Sequence, residues 1–227
     1  MQPHTVADEE PDARFGMWVF LVTDAMSFGA LLGAYAMLRA GAASWPHARL
    51  DLRLAAVATL ALLASSVTLA RRRVVATLVF GVVFVVLQAA EYATLARHGV
   101  GLAADRAASI FFAATGWHGL HVIAGLVALA VARRSASRAA AALFWQFVDA
   151  IWILLFTAFY LAPAVSTPVA IALGVAAAAG FAAVVAFPMK LRAEPRAVKV
   201  VFVLPLALPI LFTVALVADA IVRGARP

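Results

Sequence analysis

Seven long apolar stretches, separated by short basic links, constrain this chain more than any other feature. A hydrocarbon layer about 30 Å thick is crossed by roughly 20 apolar residues in a helix. Stretches of about that length fall at 16–38, 54–70, 74–95, 107–132, 141–162, 168–187 and 198–222. Hydrocarbon offers no partner for an unpaired backbone group, so each stretch is expected to be helical. Only 13% of the 227 residues are charged and 66% are hydrophobic, against roughly 25% and about half in an ordinary soluble domain. The expected fold is all-α and integral to the membrane, with about seven transmembrane helices.

The net charge of +7 does not point to nucleic acid. The basic residues sit in short clusters between apolar runs, such as "RRR" at 71–73 and "ARRSASR" at 132–138, as stop signals at a membrane face do. With the N-terminus inside, eleven of the 18 Lys and Arg residues fall on that side and seven on the other, which favours a cytoplasmic N-terminus and an outside C-terminus. Residues 1–15 are polar and acidic and are expected to form a cytoplasmic tail, not a signal peptide. Cysteine is absent, which removes disulfides, thiolate metal sites and copper centres built on cysteine.

An ionisable residue inside a span is expensive and is a functional candidate by default. Five meet that condition: Asp24, Glu91, His118, His121 and Asp149. Asp24 and Asp149 fall roughly 12 Å from the same membrane face at 1.5 Å per residue, and the two histidines of "TGWHGLH" fall near the midplane. The two aspartates are therefore placed to meet the histidines, and Glu91 to find another partner. Three readings of the histidines stay open: interhelical hydrogen bonding that fixes rotation and register, a proton relay, and metal ligation. The last lacks a dense ligand cluster such as HExxH. Gln88 and Tyr92, at i and i+4, read first as packing. Trp145, Asp149 and Trp152 share one helix face, as a packing surface would.

These residues resemble subunit III of the haem-copper respiratory oxidases. "FGMWVFLVTDAMSFGALLGAY" is similar to the family helix that carries a buried acid, usually Glu, here Asp24. "SSVTLA" fits the next helix, and "LQAAEY" places Gln88, Glu91 and Tyr92. "SIFFAATGWHGLHVIAGL" places Thr115, Gly116, His118, Gly119, His121 and Gly125. "FWQFVDAIWILLFTAFYL" places Trp145, Asp149 and Trp152. The family often has His where this chain has Gln146, and the resemblance lacks the first two helices of the seven-helix members. It runs to about Pro163, giving a five-helix unit over 16–163 and an appended two-helix hairpin over 164–227, expected to take the place of the missing arm or of a fused small subunit.

The resemblance implies a non-catalytic subunit of a proton-pumping terminal oxidase in a bacterial-type inner membrane. It would stabilise catalytic subunit I, hold phospholipids and support proton uptake. No catalytic residue, cofactor or metal is expected in this chain, the haems and copper lying in partner subunits. Asp24, Gln88, Glu91, Tyr92, Thr115, His118, His121, Trp145, Asp149 and Trp152 would be buried structural or lipid-associated groups, with Gly116 and Gly119 admitting a neighbouring helix. Two competing readings are an accessory protein of nitric oxide reductase and a freestanding proton-coupled transporter. The transporter reading lacks the repeat symmetry and paired broken helices common in that class.

Overall fold

The computed structural model describes residues 6–40, 50–132 and 137–161, with side chains from Gly16 onward. Every regular element among them is helical: α1 Val6–Ala40, α2 Leu52–Ala70, α3 Val74–Arg97, α4 Arg106–Ala132 and α5 Arg138–Phe156, followed by a π-helical turn, Thr157–Leu161. Among the described residues five stretches are long and apolar enough to cross a membrane: Gly16–Arg39, Leu52–Ala70, Val74–Arg97, Arg106–Ala132 and Arg138–Leu161. The stretches at 168–187 and 198–222 lie outside the described residues, and with them the seven-helix count and the C-terminal hairpin.

One boundary departs from expectation. Helix α1 begins at Val6, ten residues before the apolar stretch, so part of the polar tail is helical. Ala7, Glu9, Glu10, Ala13 and Arg14 are good helix formers, and hydropathy is blind to a helix that continues into water.

The chain divides into two compact units, Met1–Leu155 and Phe156–Pro227. In the second, the described residues 156–161 stack Phe156 on Tyr160 at 5.5 Å. In the first, α2 and α3 form an antiparallel hairpin whose turn at 71–73 places Arg72 at φ 60°. The hydroxyls of Thr68 and Thr77 meet across it at 2.9 Å.

At the far end, α3 stops in a Schellman motif. The Val100 amide donates to the Leu95 carbonyl and the Gly99 amide to that of Ala96, with Gly99 at φ 72°, where a Cβ would be strained. On that same end Asp51 caps α2 by accepting from the Arg53 and Leu54 amides, and Asp105 Oδ1 accepts from the Ala108 amide of α4. Each cap satisfies donors that would otherwise lack a partner, for about 1 kcal/mol.

The core lies among α2, α3, α4 and α5. Trp145, Val148 and Leu155 of α5 are fully enclosed. The Trp145 indole occupies ground that only glycine leaves free: a Cβ at Gly81 would approach it to 2.7 Å and one at Gly125 to 2.8 Å. Helix α1 is the least covered, with Val19, Phe20, Val22, Met26 and Met37 exposed and Leu21, Phe28 and Tyr35 turned inward.

Candidate functional site

The buried polar residues gather on helix seams. An indole N–H only donates, and a hydroxyl both donates and accepts. On the α2–α5 seam Trp145 Nε1 donates to Ser65 Oγ at 3.0 Å while Ser65 donates back to the Leu62 carbonyl at 2.6 Å. Trp152 Nε1 donates to Thr59 Oγ1 at 2.9 Å while Thr59 donates to the Ala55 carbonyl at 2.8 Å. Between the two tryptophans, Asp149 Oδ2 accepts from Ser66 Oγ. All six side chains are buried, so three successive bonds fix the register of the two helices.

The α3–α4 seam follows the same logic. Thr115 gives its single proton to the Phe111 carbonyl at 2.6 Å, so Tyr92, 2.7 Å away, is the donor to Thr115 Oγ1. Gln88 Nε2 donates to Glu91 Oε2 on its own helix at 3.2 Å.

The α1–α4 seam begins in the same way. Ser27 donates to the Asp24 carbonyl at 2.7 Å and accepts from Trp117 Nε1 at 3.2 Å. It then differs, because the carboxylate here faces a base. His121 Nδ1 lies 2.8 Å from the Trp117 carbonyl oxygen, which only accepts, so Nδ1 carries hydrogen. Nε2 then faces Asp24 Oδ2 at 3.0 Å. Without a proton between them two lone pairs would repel. With one, the pair is either imidazolium and carboxylate or imidazole and carboxylic acid, neutral overall in both forms. Asp24 Oδ2 makes no well-formed hydrogen bond in this arrangement, so the contact is a close approach of an acid and a base. The side chains of His121 and Asp24 are 10% and 9% exposed, placing the pair at the rim of the bundle.

His118, one turn earlier on α4, meets different chemistry. Its ring is fully buried, stacked on Trp152 at 5.2 Å and edge-on to Phe84 at 5.9 Å and Phe28 at 6.4 Å. Both ring nitrogens lack a hydrogen-bond partner, as do Gln88 Oε1 and Asp149 Oδ1.

Of the two aspartates, then, Asp24 meets a histidine and Asp149 meets a serine. The close approaches fall at Gly81 and Gly125 rather than at Gly116 and Gly119: a Cβ at Gly119 would meet nothing within 4 Å, and one at Gly116 only Tyr92 Oη at 3.9 Å. The sequence does not single out the hydroxyl partners Ser27 and Thr59, whereas "SSVT" inside an apolar helix signals Ser65 and Ser66. Among the described residues no group of three or more His, Cys, Asp or Glu is arranged to hold a metal.

Residues 3–163 match the family model described as cytochrome c oxidase subunit III. The chain is 35% identical over 184 residues to cytochrome c oxidase subunit 3 of Thermostichus vulcanus, covering 68% of this chain and 90% of that one. It is 35% identical over 173 residues to a probable cytochrome c oxidase subunit 3 of Mycobacterium tuberculosis, covering 64% and 85%. It is 32% identical over 173 residues to cytochrome bo(3) ubiquinol oxidase subunit 3 of Pseudomonas putida, covering 64% and 84%. Residues beyond 163 fall outside the family match.

Proposed function

This chain belongs to the cytochrome c oxidase subunit III family, and from that premise we propose what it contributes to its complex. It is subunit III of a haem-copper oxidase, a multi-pass membrane protein that works among other subunits. In our reading it is non-catalytic, binds no haem or copper itself, stabilises the catalytic subunit, holds phospholipids and supports proton uptake. The catalytic subunit supplies the haems and copper. The membrane is a bacterial-type inner membrane, with the N-terminus cytoplasmic and the C-terminus outside by the distribution of basic residues.

The observation that carries this reading is the state of the two histidines. His121 uses one nitrogen on the Trp117 carbonyl and the other on Asp24, and His118 is held among three aromatic rings. Among the described residues neither belongs to a group of three or more His, Cys, Asp or Glu that could hold a metal, and Asp24 and His121 lie 3.0 Å apart as an acid and a base.

The test is purification of the intact complex in mild detergent, with subunit identification, a visible haem spectrum and metal analysis of the complex and of this chain alone. A haem-copper catalytic subunit should co-purify and carry all the haem and copper. Stoichiometric metal on the isolated chain, lost on replacing His118 or His121, would overturn the non-catalytic reading.

A further inference from the structure

We propose that the interior beside His118 is a water-binding site shared by α3, α4 and α5, with ordered water bridging the imidazole to Gln88 on one side and to Asp149 on the other. A neutral imidazole has one donor and one acceptor nitrogen. At His118 both lack a protein partner at zero exposure, and a buried group left so costs about 1–3 kcal/mol. Such atoms in a native interior are ordinarily served by water when the surroundings are polar and have room.

The surroundings are polar on both sides. Phe84 and Trp152, which contact His118, lie 4.7 Å from each other and so at one depth. Gln88 follows Phe84 by four residues, roughly 6 Å toward the Schellman end of α3, and Asp149 precedes Trp152 by three, roughly 4.5 Å the opposite way. Each carries a buried oxygen without a partner, Oε1 and Oδ1. Two hydrogen bonds of about 2.8 Å through one water span roughly 5.5 Å, the same order as these axial offsets along α3 and α5.

On the Gln88 side, small residues leave the α3–α4 seam uncrowded. Phe112 and Gly116 lie on the flank of α4 that faces Tyr92 of α3, and Gly119 continues that flank one turn on. Neither glycine would meet more than the Tyr92 hydroxyl if it bore a Cβ. The consequence is an internal polar track, Gln88 to His118 to Asp149, along which the buried Asp149 carboxyl exchanges protons without helix separation. The Asp24–His121 pair is not part of it, since His121 nitrogens are already engaged.

The test is solid-state NMR of the full chain in lipid bilayers with 15N-labelled histidine. His118 is identified by loss of its signals in His118→Phe or, if that variant does not fold, by elimination with single Asn substitutions of His4, His47, His98 and His121. Transfer of water magnetisation to a His118 ring nitrogen is expected, falling by roughly half in Gln88→Leu or Asp149→Val as one of two bridges is lost. Absence of transfer to both His118 nitrogens, under conditions where exposed His98 shows it, overturns the proposal. So does transfer that neither substitution reduces.

Discussion

The α2–α5 and α1–α4 seams use the same adaptor, a hydroxyl that donates into its own helix and accepts from a tryptophan on the next, yet they end in different chemistry. On α2–α5 the carboxyl meets Ser66, and everything around it is buried. On α1–α4 the carboxyl meets His121 at the rim, beside a half-exposed Trp117. A hydroxyl gives a carboxyl one fixed donor, whereas an imidazole gives it a second site for the same proton. Two aspartates at similar depth, both reading as buried acids, thus meet different partners: Asp149 a hydroxyl on the next helix and Asp24 a base.

The largest effect that tests this contrast is removal of the two indoles. Trp145→Ala empties the space between Gly81 and Gly125 and should destabilise by about 3–5 kcal/mol, measured by unfolding of the detergent-solubilised complex. Trp117→Ala, at 42% exposure, should lose far less. Equal losses would show that both seams are packing devices and erase the distinction.

Next come the carboxyls. Asp149→Leu leaves Ser66 facing an apolar group in a sealed interior and should weaken stability or assembly by about 1–3 kcal/mol, while complexes that assemble keep oxygen reduction. Complete loss of turnover in a fully assembled complex would make Asp149 a participant in the chemistry. A double-mutant cycle of Asp24→Asn and His121→Gln should then return a coupling of up to about 1.7 kcal/mol, the upper end for polar pairs between membrane helices. A coupling of zero would remove the shared proton from the account.

The five described helices were legible in the sequence because hydrocarbon imposes length and composition directly. The five ionisable positions were equally plain, since any charge in a span stands out. Their partners were not. The depth argument places Asp24 and Asp149 alike, and nothing in the spacing says which of them faces His121, because helix rotation is set by packing. That packing turns on Gly81 and Gly125 against Trp145, residues far apart in sequence whose fit appears only in three dimensions. Gly116 and Gly119, flanking the histidines, looked the better candidates for close approach.

The smallest effect sharpens the comparison by supplying its baseline. The α3–α4 seam has the hydroxyl adaptor at Thr115 but no carboxyl joined to it: Tyr92 donates to Thr115 Oγ1, and Thr115 donates to the Phe111 carbonyl. Tyr92→Phe removes one donor and leaves Thr115 bonded to its own helix. The ring keeps its contacts with Phe112 at 4.9 Å and Phe111 at 6.2 Å, so no cavity opens beyond one oxygen. The expected loss is about 0.6 kcal/mol, the average for such a bond between membrane helices. That value is the share of the adaptor alone, and whatever Ser66–Asp149 and Asp24–His121 lose beyond it belongs to their carboxyls. A loss above about 2 kcal/mol in unfolding of the same complex would exceed what one neutral hydrogen bond contributes, and the Tyr92 hydroxyl would then need a second partner on the open side of Gly116.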